Sequence, residues 1–165
     1  MSDLQSLYQK ALRFAAGKHA EQGQLVPGSQ LPYAVHISNV AMEILAAALE
    51  GQPMDLTLAI PVALLHDTLE DTATTFEEIS SAFGEEVAGA VLALTKNAAL
   101  PKEAQMPDSL RRIQEQRPEV WAVKLADRIT NLQQPPGHWT LSKKQAYQQE
   151  AQYIADTLSD GNAYL

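Results

Sequence analysis

Apolar residues recur three and four positions apart along most of the chain, which is the period of helices that bury one face. Residues 3 to 22 hold Leu4, Leu7, Tyr8, Ala11, Leu12, Ala15 and Ala16 in that register and predict an amphipathic helix with His19 near its end. Gly23, Pro27, Gly28 and Pro32 predict a loop after it. A second helix is predicted from Tyr33 to Leu49, with Ile37, Val40, Ala41, Ile44, Leu45 and Ala48 inward and His36 in its first turn. Gly51 and Pro53 end it. The next predicted helix, residues 55 to 69, differs in kind. Ile60, Val62, Ala63, Leu64 and Leu65 leave it no polar face, so it should lie buried.

Thr75-Phe76-Glu77-Glu78 has the form of a capping box and predicts a further helix start. Gly84 interrupts that helix, and 85 to 96 predicts another, with Val87, Ala90, Val91 and Leu94 inward. Pro101 and Pro107 predict an irregular surface segment, and Asp108 a cap for a short helix running to Gln116. Pro118 suits the first turn of the next helix. There Trp121, Leu125, Ile129 and Leu132 form an apolar stripe beside a polar one of Lys124, Asp127 and Asn131. Pro135-Pro136-Gly137 should close it, with His138 a loop residue. A last helix, 141 to 158, turns Ala146, Tyr147, Ala151, Ile154 and Leu158 inward. No segment alternates with period two. The expected fold class is all-α, a compact multi-helix bundle.

The length of 165 residues fits one domain, residues 1–165. With no cysteine in the chain, disulfides and thiolate metal sites are ruled out. The formal charge of −8 argues against nucleic-acid binding, which calls for a basic surface. The N-terminus lacks the basic-then-apolar pattern of a secretory signal, and the apolar run 59–65 is too short to span a bilayer. A cytoplasmic protein without membrane partners is expected.

The buried helix ends in His66, Asp67, Glu70 and Asp71. Such groups are costly to bury without partners, and a cation is the economical partner. Adjacent side chains leave a helix about 100° apart, so further ligands must come from other helices. His36 and Asp127 stand out there, near a helix end and beside a polar stripe. Two imidazoles and two carboxylates suit Mn, Fe, Co or Zn better than Mg or Ca, and the residues do not choose among those four.

This arrangement, His36, His66-Asp67 and Asp127, resembles the metal signature of the HD-domain phosphohydrolases. Within them the chain is similar to the RelA/SpoT-type hydrolase domain, above all to single-domain small alarmone hydrolases. The shared strings are Pro32-Tyr33 with His36 three residues on, His66-Asp67-Thr68-Leu69-Glu70-Asp71, and Val123-Lys124-Leu125-Ala126-Asp127-Arg128 with Asn131-Leu132. The resemblance runs over nearly the whole chain, to about Gly161-Asn162. It implies an HD-domain bundle in which His36, His66, Asp67 and Asp127 ligate one divalent metal, manganese being the expected ion. It implies that Glu70 and Asp71 orient or deprotonate the attacking water, and that Asn131, Lys124 and Arg128 meet the substrate. The reaction implied is release of pyrophosphate from the 3′ position of guanosine tetra- or pentaphosphate.

The chain departs from that pattern in two places. Residues 22–31 carry no Lys or Arg, where the family places cations for substrate phosphates, and Ile37 follows His36 where proline is common. Lys18, or a side chain from a second subunit, is expected to compensate. The neutral loop also keeps open an HD phosphatase acting on an adenosine alarmone, NADPH or a simple nucleotide. A nucleotide-binding helical protein without catalysis is a third reading, which the Glu70-Asp71 pair speaks against. The oligomeric state is left open, a homo-oligomer among the options.

Overall fold

The computed structural model describes residues 3–51, 53–133, 137 and 139–165. Among the described residues are nine helices: α1 (Asp3–Glu21), α2 (Ala34–Leu49), α3 (Leu56–Leu65), α4 (Thr68–Asp71), α5 (Phe76–Phe83), α6 (Glu85–Leu94), α7 (Lys102–Gln114), α8 (Pro118–Gln133) and α9 (Leu141–Leu158). The same residues hold no strand, only a single bridge between Leu25 and Pro32 within the α1–α2 loop. The all-α expectation is met.

The apolar α3 is the axis of the fold. Every residue from Leu58 to Leu65 is buried, and α1, α2, α6 and α8 pack around it. Asp55 starts it, its carboxylate accepting from the Thr57 backbone N–H at 3.0 Å. The continuous helix expected over 55–69 is instead broken. α3 stops at Leu65, the chain turns at His66–Asp67, and α4 is a single turn. Side chains take over the carbonyls that the break releases. His66 Nδ1 lies 2.8 Å from the Ala63 carbonyl, and the Thr68 hydroxyl donates to that of Leu65 at 2.7 Å. The ionisable cluster thus sits on a turn at the mouth of the core.

Thr75 and Glu78 form the expected capping box, Thr75 N–H to the Glu78 carboxylate at 2.8 Å and Glu78 N–H to the Thr75 hydroxyl at 3.2 Å. Gly84 joins α5 to α6 with φ +94° and ψ 159°, a conformation open only to glycine. The irregular 101–107 segment is not observed. α7 begins after Pro101 and runs through Pro107. Pro107 lies on the exposed side, where water can serve the carbonyl its missing N–H leaves behind. Asp108 therefore caps nothing and pairs within the helix, with Arg112 at 2.9 Å and Arg111 at 3.3 Å. Arg112 also donates to the Leu92 and Thr95 carbonyls at 2.6 and 2.7 Å and so closes the carboxyl end of α6.

α8 is more deeply buried than its apolar stripe implies. Val120, Ala122, Val123, Leu125 and Ala126 are buried, and so are Lys124, Asp127 and Arg128, whereas Leu132 is exposed. In α9 Ala151, Ile154 and Leu158 face inward as expected, but Ala146 is exposed. Pro135 and Pro136, read as the end of α8, and His138 lie outside the described residues.

Candidate metal centre and active site

The first turn of α2, the turn after α3 and the middle of α8 meet at one point. His36 Nε2 lies 3.3 Å from Asp127 Oδ1 and 3.8 Å from Asp67 Oδ2. His66 Nε2 lies 2.9 Å from Asp67 Oδ2 and 3.6 Å from Asp127 Oδ1. All four residues predicted from the sequence as ligands are thus brought together. Donor atoms of His36, His66 and Asp67 fall within 4.8 Å of one another, and Asp127 closes the group from α8.

Burial makes this cluster chemically demanding. His36 and His66 are 5% and 4% exposed, and the Nε2 atom of each is buried without a hydrogen-bond partner despite the carboxylates beside it. Orphaned ring nitrogens are rare in a folded interior. His66 Nδ1 faces the Ala63 carbonyl, which fixes its proton there and turns the Nε2 lone pair toward the carboxylates. Two aimed lone pairs and two carboxylates around one point fit a divalent cation of the Mn, Fe, Co or Zn group.

Neighbours hold the carboxylates in place. Tyr33 donates its hydroxyl to Asp67 Oδ2. Asn131 Nδ2 donates to Asp127 Oδ1 at 2.7 Å, and Lys124 Nζ to Asp127 Oδ2 at 3.4 Å. Burial opposes a charge on His66, yet Asp67 and Asp127 raise its pKa well above the ordinary value. With that positive charge beside it the Asp67 carboxyl, which burial alone would raise, falls to about 2. A bound cation would supply the same positive charge and leave the ring neutral. Burial likewise opposes ionisation of Asp127, yet the Lys124 ammonium and then His36 and His66 hold it well below the usual range. Both carboxylates are therefore ionised at neutral pH. Burial pushes the Tyr33 phenol far up, so it stays a donor.

Glu70 and Asp71 sit beside this cluster on α4 and differ in their surroundings. Both Glu70 oxygens are held by Lys96, one by its backbone N–H and one by its ammonium, each at 3.0 Å. Asp71 is held on one oxygen by a neutral donor, Gln24 Nε2, at 2.9 Å. Partial desolvation raises the Asp71 carboxyl above its ordinary value although the residue lies at the exposed rim, which suits it to accept a proton.

Arg128 is 7% exposed, stacks on the Tyr147 ring at 4.1 Å and donates to Glu150 at 2.7 Å. Its Nε and Nη1 are buried with no partner. Lys96, Lys124 and Arg128 line a polar cleft of about 220 Å³ together with Asp67, Glu70 and Asp71. A neighbouring cavity of about 410 Å³ is lined by aromatic, aliphatic and amide side chains, among them Val26, Leu31, Asn39, Trp139 and Tyr147. Tyr33, Asn131 and Tyr147 border both. Lys18 is engaged elsewhere, with Glu78 at 2.6 Å, and lines neither cavity.

Several supporting roles escape the sequence reading. Tyr33 appears there in the string shared with the family, three positions before His36, but without a role at the site. Lys96 follows α6 and Gln24 lies in the α1–α2 loop, and neither has a local pattern that marks it. His19, which the sequence places near the end of α1, is buried there against Tyr33, ring centroids 4.6 Å apart.

Comparison with known proteins agrees with the geometry. The HD domain family matches residues 11–159. The chain is 36% identical over 169 residues to the guanosine-3′,5′-bis(diphosphate) 3′-pyrophosphohydrolase MESH1 of Xenopus tropicalis, covering all of this chain and 92% of that protein. It is 30% identical to the Drosophila melanogaster MESH1, over 96% of this chain and 88% of that one. A solved structure described as a metazoan ortholog of SpoT that hydrolyses ppGpp superposes with a TM-score of 0.81 at 29% identity, covering 96% of this chain and 88% of the other. With its ligand cluster, carboxylate pair and full-length match, the chain belongs to the HD-domain family, among its RelA/SpoT-type hydrolases.

Proposed function

We propose that the protein is a metal-dependent pyrophosphohydrolase acting in the cytoplasm on guanosine tetra- or pentaphosphate, converting ppGpp and water to GDP and pyrophosphate. The observation that carries this reading is the pair of buried, unpartnered Nε2 atoms of His36 and His66 facing Asp67 and Asp127. These four residues would hold one divalent cation, Mn²⁺ in this proposal. When bound, such an ion supplies Lewis acidity to a phosphoryl oxygen and acidity to a water. The chain's own groups do the rest. Asp71 accepts the proton of the attacking water, and Glu70, tied to Lys96, keeps that ammonium facing the cleft. Lys124 and Arg128 meet the negative charge of the departing pyrophosphate, Arg128 through the two donors that lack a protein partner. Asn131 stands where the two cavities join, suited to the ribose-phosphate side of the substrate. The adjoining aromatic and amide-lined cavity suits a nucleoside.

The test is pyrophosphate release from ppGpp by metal-stripped protein with Mn²⁺ restored, beside an Asp127→Ala control. Mn²⁺-dependent release that the control lacks bears the reading out. Protein that binds Mn²⁺ yet leaves ppGpp intact moves the assignment to another phosphorylated nucleotide. The uncharged 22–31 loop, with Lys18 committed to Glu78, favours that second reading.

A further inference from the structure

Gln24 lies in the loop between α1 and α2, outside every motif in the chain, yet it is fixed at both backbone ends. Its N–H donates to the His19 carbonyl at 3.1 Å, and its carbonyl accepts from Tyr33 N–H at 3.3 Å. The side chain spans two elements, α1 and α4. Gln24 Nε2 donates to Asp71 Oδ2 at 2.9 Å, and Oε1 lies 2.6 Å from His19 Nδ1.

The chemistry fixes which way the amide points. An ionised carboxylate only accepts, so the NH₂ group must face Asp71 and the oxygen must face His19. His19 Nδ1 must then carry the ring proton. Burial lowers the His19 pKa, so the ring is neutral at pH 7 and its proton sits on Nδ1 alone. Its Nε2 is then an acceptor, and it is buried without a partner. His19 cannot readily move to release the amide, being 1% exposed and stacked on Tyr33. Tyr33 in turn donates to Asp67. The result is a rigid line from the end of α1, through one neutral amide, to one oxygen of Asp71. A neutral donor is the suitable kind here. An ammonium in its place would fix the same oxygen while reducing the carboxylate's basicity far more.

We propose that Gln24 is a positioning residue, its amide aiming the Asp71 carboxylate at the attacking water while His19 holds the amide in the one orientation that donates. This rests on the reading above that Asp71 accepts the water's proton. Gln24→Met keeps the length of the side chain and removes both hydrogen bonds. Gln24→Glu keeps the shape and turns the donor into a repelling charge. Small displacements of a reacting group cost up to about a hundredfold in rate. The expected outcome is a kcat lower by roughly ten- to a hundredfold in both variants, with KM within about twofold and Tm within a few degrees of wild type. A loop tether without this role would instead move KM and Tm and leave kcat alone.

The second readout needs no turnover. In ¹H–¹⁵N spectra of the full chain, kept free of paramagnetic Mn²⁺, His19 should show the Nδ1–H tautomer, and Gln24→Met should shift or lose that signal. Wild-type kcat in Gln24→Met overturns the proposal while leaving the assigned reaction intact. Wild-type protein inactive on ppGpp overturns the assigned reaction, and the spectra then decide the bridge by themselves. An Nε2–H tautomer at His19, or a spectrum unchanged by Gln24→Met, overturns it in either case.

Discussion

Arg128→Met should make the protein more stable and less active, and the structure gives both magnitudes. The guanidinium is 8% exposed while its partner Glu150 is 41% exposed. An ion pair with so wet a partner contributes at most about 1 kcal/mol. Stacking on Tyr147 at 4.1 Å adds about 1 kcal/mol. Against these, Nε and Nη1 are buried without a partner, and each such donor costs about 1–3 kcal/mol. Methionine fills a similar volume, keeps contact with the ring and leaves Glu150 in water rather than stranded in the interior. The balance is a gain of about 1–3 kcal/mol, or roughly 3–10 °C in Tm for a chain of this length. Catalysis should move the other way, because the variant loses a preorganised charge facing the departing phosphates. A fall of roughly a hundred- to a thousandfold in kcat/KM is expected. Scanning fluorimetry and pyrophosphate release on the same preparations read both quantities. A variant that melts several degrees lower and keeps its kcat/KM would refute the reasoning, for it would make Arg128 a strut of the fold.

Removing the metal with a chelator should lower Tm, and Mn²⁺ at about a hundred times its Kd should restore about 2.7 kcal/mol; a Tm indifferent to Mn²⁺ in wild type would contradict the ligand cluster, and Asp127→Ala should show that indifference. Gly84→Ala should cost about 1–3 kcal/mol through backbone strain alone, since φ is +94° and nothing lies within 4 Å of the added Cβ; urea titration should show the loss with kcat unchanged. Acid stability follows from three surface carboxylates. Asp55 is held below its ordinary pKa by the Thr57 hydroxyl and Arg117, Glu78 by Lys18, and Asp108 by Arg112 and Arg111. The unfolded chain takes up these protons first, so their contribution is complete above about pH 4–4.5 and lost as pH falls through the depressed values. Tm should decline between about pH 4.5 and 3, and a flat profile over that range would count against these pairings.

What the sequence reveals depends on whether a residue's neighbours are close along the chain. The caps and faces of α1, α2, α5 and α6 are local matters, and Thr75-Glu78 shows its capping box in four letters. The break of α3 at His66 is not local in that sense. Its carbonyls are taken by His66 and Thr68 side chains, and helical spacing across Asp67 to Asp71 survives in one backbone hydrogen bond of 2.9 Å, so the letters look continuous. Pro107 misleads for the opposite reason. It weighs as a breaker in sequence, yet it sits on the exposed face of α7, where water can replace its lost hydrogen bond.

The site divides along the same line. The four candidate ligands stand out because a metal demands particular atoms, and the chain sets them at helix ends and on a polar stripe. Their supports are chosen by position alone. Lys96 reaches Glu70 because α6 ends there, and Arg112 pins that end by binding the Thr95 carbonyl. Gln24 reaches Asp71 because the α1–α2 loop folds back on His19. The net charge of −8 misleads in the same way. It averages over a surface, whereas the cleft collects Lys96, Lys124 and Arg128. Lys124 and Arg128 are 8% and 7% exposed, and burying cations at such cost is rarely done for stability. Their concentration beside Asp71 is therefore better evidence for an anionic substrate than the overall charge is against one.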